Sequence, residues 1–257
     1  MIEAVIAAVR GAGRAIESLR ASDDLDVRMK GAEGPSSAAD RAADALLHRE
    51  LLALESCGWL SEETADDPRR LSERRVWIVD PLDGTKEFLA GRPEYAVAVA
   101  LVEAGTPVLS VVHHPPSNAT WWAERGRGAF RDGHPIRVAE SDTLLASRTE
   151  LARGEFIPFQ THWRVQPQGS IALKLALVAS GAAAVTLSRG EKWEWDVCAG
   201  AFLVTAAGGR ASEVAGGPLR YNRAPPLLRG ILAGAPRAYA RAAGEVAIVL
   251  APPRRSS

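Results

Sequence analysis

The sequence predicts a mixed protein, an α+β half followed by an α/β half, and three observations carry that reading. Two stretches near the start place apolar residues at helical spacing, a crowd of short strand-like runs follows, and the remainder alternates helix and strand. Met1 to Arg20 and Ala38 to Leu54 are the two amphipathic helices, the second with Asp40, Asp44 and Glu50 on its polar face. Between them, Met29 to Ser37 is rich in breakers and ends in hydroxyl residues able to cap the second helix. Cys57 to Leu60 reads as a short strand leading to Glu62 and Glu63, and Val76 to Val79 as a strand stopped by Asp80-Pro81. Tyr95 to Val102, Val108 to His113, Thr120 to Ala123 and Ile136 to Val138 are further strands. The residues Gly105, Pro115-Pro116, Gly126, Gly128 and Gly133 separate them, a pattern suited to antiparallel hairpins. In the second half, Ser170 to Ser180 reads as a helix, Ala183 to Leu187 as a strand, and Asp196 to Ala207 as a helix ended by Gly208-Gly209. Arg210 to Val214 and Ile231 to Ala233 are strands, Pro236 to Leu250 is a last helix, and Ala251 to Ser257 a frayed tail.

Composition narrows the function classes. The 257 residues carry 31 Lys+Arg against 31 Asp+Glu and are 47% hydrophobic, which excludes disorder as the main state. A formal net charge of +0 argues against coating a nucleic-acid polymer or a membrane surface, both of which need a basic excess. No stretch is long and apolar enough to span a bilayer and the start lacks a secretory pattern, so a cytoplasmic location is expected. Cys57 and Cys198 are read as reduced, buried thiols.

Chemistry concentrates in Val79-Asp80-Pro81-Leu82-Asp83-Gly84-Thr85-Lys86-Glu87-Phe88. Two carboxylates, the Leu82 carbonyl and the Thr85 hydroxyl supply the oxygen ligands that a hard divalent cation takes, while a polar β-turn is the plain alternative. Glu62 and Glu63 suit either a ligand role or a solvated loop, and Asp196 either a ligand or a helix cap; cap and ligand are compatible.

Those segments carry a resemblance. Leu60-Ser61-Glu62-Glu63, Trp77 to Phe88, and Trp195-Asp196 through Gly208-Gly209 resemble, in order and spacing, signatures of the inositol monophosphatase superfamily of magnesium-dependent, lithium-sensitive phosphomonoesterases. Pro35 to Asp40 is similar to its early motif, with Ser37 where Thr is usual, and Gly169 to Lys174 to its substrate-side helix start. The resemblance implies a layered αβαβα sandwich, with residues 1–140 holding most metal ligands and 141–257 adding Asp196 and the substrate side. By resemblance, Glu62, Asp80 and the Leu82 carbonyl hold one Mg²⁺; Asp80, Asp83 and Asp196 hold a second; and in-line displacement uses a metal-activated water. Glu62 and Thr85 then orient that water, and the Gly84 and Thr85 amides bind phosphate oxygens. Asp40 serves a third, weak ion, the water network, or only its helix.

For the substrate, Thr85-Lys86-Glu87-Phe88 resembles the CysQ branch, which removes the 3'-phosphate of 3'-phosphoadenosine 5'-phosphate, more than the inositol branch. Arg189 stands where the inositol enzymes place a Glu, and Arg189, Lys174 and Ser170 are candidate contacts to a doubly phosphorylated nucleotide; a surface Arg and a snorkelling Lys are the plain alternatives. Tyr221-Asn222-Arg223 also resembles a segment of that branch. Inositol and fructose phosphates are the rival substrates, a catalytically idle metal-stabilised protein is the distant one, and a homodimer is left open. Trp121-Trp122 and Trp163 are candidates to stack on adenine, but Trp121-Trp122 sits in an alternating strand, which favours core packing or an oligomer interface, and His113-His114 is read as structural.

Overall fold

The computed structural model describes residues 1–22, 25–29 and 35–250, the side chains of 248–250 excepted; the expected tail at Ala251 to Ser257 lies outside the described residues. Helix α1 (Ile2–Ser22) leads to strands β1 (Arg28–Met29) and β2 (Pro35–Ser36) and helix α2 (Ala38–Leu54). Then come β3 (Gly58–Ser61), β4 (Arg75–Asp83), the one-turn helix α3 (Thr85–Leu89), β5 (Ala96–Glu103), β6 (Thr106–His114), β7 (Ala119–Glu124), β8 (Gly128–Arg131) and β9 (His134–Ile136). The second half runs β10 (Thr143–Ala146), α4 (Arg148–Ala152), β11 (Arg164–Pro167), α5 (Ile171–Ala179), β12 (Val185–Ser188), β13 (Lys192–Trp193) and α6 (Glu194–Ala206). It finishes with β14 (Arg210–Ser212), β15 (Leu227–Leu228), β16 (Ile231–Gly234) and α7 (Pro236–Leu250).

Strands β3 to β9 form one sheet in sequence order, parallel at β3/β4 and antiparallel from there on. The second sheet has the order β11-β10-β12-β16-β14, with β10 parallel to both neighbours. Val5, Val9, Ala12 and Ile16 of α1, with Leu47 and Leu51 of α2, pack on Trp77, Val79, Val99 and Leu101 of the first sheet. Each such Val, Leu or Ile contributes roughly 1.5–3 kcal/mol by leaving water. The opposite face presents Ile78, Ala98 and Ala100 to α5 and α6, which also cover Ile231 and Ala233 of the second sheet. Leu144, Val185 and Leu232 on that sheet's far side meet Ala238 and Ala242 of α7. The layers are therefore α, β, α, β, α, with α5 and α6 shared between the sheets. Their contact is close because residue 200 is glycine: a Cβ there would lie 2.5 Å from Leu175 Cβ.

Two local expectations change. Pro81 does not stop the ladder; β4 continues to Asp83 across a bulge, where Asp80 faces Ala98 and Asp83 faces Ala96. Proline lacks an N–H, and the bulge is the place in a strand that does not require one. Cys198 is buried as expected, but Cys57 is only half-buried. Strands β10, β11, β13 and β15 carry no expectation from sequence.

Candidate active site

The bulge in β4 builds the centre of the site. Side chains alternate along a strand, so residues 80 and 83 would point to opposite faces of a regular ladder. One extra residue restores the phase, and both carboxylates face the α5–α6 layer while Leu82 turns into the α1–α2 core, 0% exposed. Asp80 Oδ1 accepts from the Leu82 amide at 3.1 Å, which fixes the loop around it. Gly84 follows at φ +100°, and a Cβ there would sit 2.6 Å from the Glu94 carbonyl oxygen, so only glycine turns this corner.

Three further elements converge on that corner. Glu62 stands just past β3, its amide donating to the Val79 carbonyl at 3.4 Å. Asp196 lies in the first turn of α6 and accepts from the Trp193 amide at 3.1 Å, so a capping role coexists with whatever else it does. From the second half, Ser170 and the Ala172 amide at the start of α5 donate to Asp83 Oδ2 at 2.5 and 2.6 Å. On the other side, the Thr85 hydroxyl lies 2.9 Å from Asp40 Oδ1 and 3.1 Å from the Leu82 carbonyl. Asp40 is the third residue of α2 and also accepts from the Ser37 amide at 2.7 Å and the Ser37 hydroxyl at 2.5 Å.

One cleft is lined by Glu62, Asp80, Leu82, Asp83, Gly84, Thr85, Ser170, Lys174 and Asp196, so nine expected residues meet there, with Asp40 behind Thr85. Arg189 is the exception. It is not among the lining residues and pairs with Glu155 at 3.4 Å. Sequence reasoning missed Lys86, Lys192 and Glu150, which line the cleft. Glu150 belongs to an element after the unforeseen β10 and is 7% exposed; Ser188 donates to one of its oxygens, and the other, Oε2, has no hydrogen-bond partner among the described residues. Lys86 was in plain view within the acidic decapeptide, whereas nothing around Lys192 marked it.

The electrostatics are those of crowded acid. Burial, then the charges of Glu62, Asp83, Asp196 and Asp40, push the Asp80 carboxyl well above its ordinary range. Burial foremost raises Asp196, Asp83 and Asp40 as well. Lys174, 3% exposed, is brought down to about 8 by burial, against the pull of Glu150. An all-oxygen donor set whose charges repel one another fits a hard divalent cation, which would relieve that repulsion. Among the described residues no three His, Cys, Asp or Glu side chains stand at the spacing that grips one ion, Asp83 and Asp196 each having an oxygen engaged by a backbone N–H.

The remaining aromatic and imidazole groups lie elsewhere. Trp121 and Trp122 are buried in β7, the latter stacked on Phe130, and Trp163 is buried with its Nε1 donating to Glu245. His113 is buried against Thr120 and held down to about 4 by burial.

The chain resembles proteins with several activities. Over 231 residues it is 34% identical to an inositol-1-monophosphatase from Rhizobium meliloti, covering 84% of this chain and 85% of that one. It is 38% identical over 209 residues to a 3'-phosphoadenosine 5'-phosphate phosphatase from Mycobacterium bovis, covering 76% and 75%. Extragenic suppressor protein suhB from Bartonella henselae superposes with a TM-score of 0.83 at 28% identity, over 95% of this chain and 97% of that one. The sequence pattern of the inositol monophosphatase family matches residues 1–250, and with this site at the head of the layered fold the chain belongs to that family.

Proposed function

We propose that the protein is a Mg²⁺-dependent phosphomonoesterase whose preferred substrate is 3'-phosphoadenosine 5'-phosphate, hydrolysed to AMP and phosphate. The observation that carries the choice of substrate is the set of lysines in the cleft. Lys86, Lys174 and Lys192 line it together with the carboxylates, so ammonium donors are left for a second phosphate beside the one that metal ions on the carboxylates would hold. The relative named a 3'-phosphoadenosine 5'-phosphate phosphatase supports the same reading.

Glu62, Asp80, the Leu82 carbonyl, Asp83 and Asp196 would hold the two ions, with Asp40 beside a third, and the metal supplies charge that acidifies a water and neutralises the leaving oxygen. The protein's own groups set the geometry. Thr85 points its hydroxyl between Asp40 and the Leu82 carbonyl, so its oxygen is held to accept from a water while its proton goes to either neighbour. Glu62, on the wall of the same cleft, would take the proton of that water. Ser170 anchors Asp83, and Lys174 and Lys192 offer donors to a second phosphate. The two halves, 1–140 and 141–257, then divide the labour between reaction and leaving group.

Inositol or fructose phosphate is the second reading, and Arg189 favours it: paired with Glu155, that guanidinium does not add to the cationic lining. The inositol-1-monophosphatase relative points the same way. Phosphate release from 3'-phosphoadenosine 5'-phosphate, inositol 1-phosphate and fructose 1,6-bisphosphate at one Mg²⁺ concentration decides. Highest kcat/KM on the nucleotide supports the proposal, and a faster reaction on inositol 1-phosphate overturns it.

A further inference from the structure

Tyr221-Asn222-Arg223 lies outside the cleft, yet it sits at the centre of a buried polar chain. Arg70, in the single helical turn Pro68–Ser72, is 2% exposed and donates from all three guanidinium nitrogens. It pairs with Asp66 at 2.5 and 2.8 Å, donates to Asn222 Oδ1 at 2.7 Å and to the Arg223 carbonyl at 2.8 Å. Asn222 answers with Nδ2 to the Arg70 carbonyl at 3.0 Å. Asn222 has φ +61°, a left-handed conformation that asparagine tolerates better than most residues, and it turns two successive amides the same way. The amides of Asn222 and Arg223 both donate to the Glu194 carboxylate, at 2.6 and 2.9 Å. Glu194 is 0% exposed and opens α6.

The ends of this chain matter. Asp66 is four residues beyond Glu62 on the same loop, and Glu194 is two residues before Asp196 on the same helix turn. Glu62 and Asp196 come from opposite halves of the protein, and β3 and α6 do not hydrogen-bond one another through a shared ladder. A forked cation with a fixed planar geometry is suited to hold such a distance, where a lysine ammonium would not be.

We propose that Arg70 and Asn222 are positioning residues that set the separation of Glu62 and Asp196, and so the metal affinity of the cleft, without touching substrate. The inference rests on the metal-dependent reading above. Groups bonded directly to metal ligands change metal affinity by about 10- to 100-fold when removed, and Arg70 and Asn222, one step further back through Asp66 and Glu194, should act at the lower end of that range.

The test is Mn²⁺ binding to the full-length protein, followed by electron paramagnetic resonance, for wild type, Arg70→Ala, Arg70→Lys and Asn222→Gly. Asn222→Gly keeps the backbone conformation, the amides facing Glu194 and the Arg70 bond to the Arg223 carbonyl while removing both side-chain bonds to Arg70, and it remains informative if Arg70→Ala does not fold. Expected are a Kd for Mn²⁺ raised about tenfold in Arg70→Ala and a smaller rise in Arg70→Lys and Asn222→Gly. In each, activity should recover at high Mg²⁺ with KM for the ester near the wild-type value. A variant that melts earlier but binds Mn²⁺ as tightly as wild type overturns the positioning role and leaves the phosphatase reading standing. A wild type that binds no Mn²⁺ overturns both.

Discussion

Ser170 donates to Asp83 at 2.5 Å, a hydrogen bond between the head of α5 and the end of β4 that joins the two halves of the chain inside the cleft. The Ser170 hydroxyl also accepts from the Leu173 amide at 3.0 Å, so one side chain caps the helix and steers a carboxylate.

Asp83→Asn removes a charge and almost no volume, and the amide can still accept from Ser170. Turnover should fall by at least about 100-fold, the upper range for disturbing even the supporting partners of a metal ligand, with an unchanged circular dichroism spectrum. Near-normal phosphate release at saturating Mg²⁺ would remove Asp83 from the ligand set.

Thr85 should behave as a hydroxyl rather than as packing. Thr85→Ala is expected to lower kcat by about 10²- to 10⁴-fold, the usual range for losing a group that handles a proton, and Thr85→Ser should restore most of it. Equal losses in both variants, measured by steady-state phosphate release, would assign the residue to structure instead.

Lys174 gives a pH signature. Burial brings its ammonium from 10.5 to about 8, so between those values the unfolded chain binds the proton and the folded protein does not. Stability therefore rises with pH across that window, and the cost of holding the charge is present in full below about 8. Lys174→Met should flatten that dependence in denaturant melts at several pH values. In activity, wild-type kcat/KM on a bisphosphate should decline above about pH 8, whereas the variant stays low and lacks that inflection.

Gly84→Ala tests the corner. A methyl group 2.6 Å from the Glu94 carbonyl and 3.2 Å from Tyr95 Cα has no room, and the φ of +100° strains any other residue by roughly 1–3 kcal/mol before the clash is counted. Urea unfolding should show at least that loss, together with lower activity, because Asp83 and Thr85 flank the position.

Much of this was legible because the site is local. Asp80, Leu82, Asp83, Gly84 and Thr85 fall within six residues, and a decapeptide of that chemistry announces itself. The long helices were legible too, since α1 and α2 bury one stripe each. The bulge was not, because reading Pro81 as the end of a strand is the ordinary inference and only the pairing with Ala96 and Ala98 shows otherwise. Strand β10 escaped because four residues all buried in a parallel pairing have no alternation to display, and β11 because an exposed edge strand of Arg164, Val165, Gln166 and Pro167 has no apolar run to announce it. Arg189 illustrates a different limit: sequence spacing brings it near Asp196, but Glu155, 34 residues earlier in the chain, claims its guanidinium.

Gly200 lies in the middle of α6, on no wall of the cleft, yet it lets that helix rest against Leu175 of α5. Both helices begin at the cleft, one with Ser170 at its cap and the other with Asp196 in its first turn. Side-chain bulk at position 200 would act as a wedge, prising the two helices apart and moving Ser170 and Asp196 at their cleft ends. On the function proposed above, the aperture for the substrate would thus be gauged by an absent methyl group in the protein's interior.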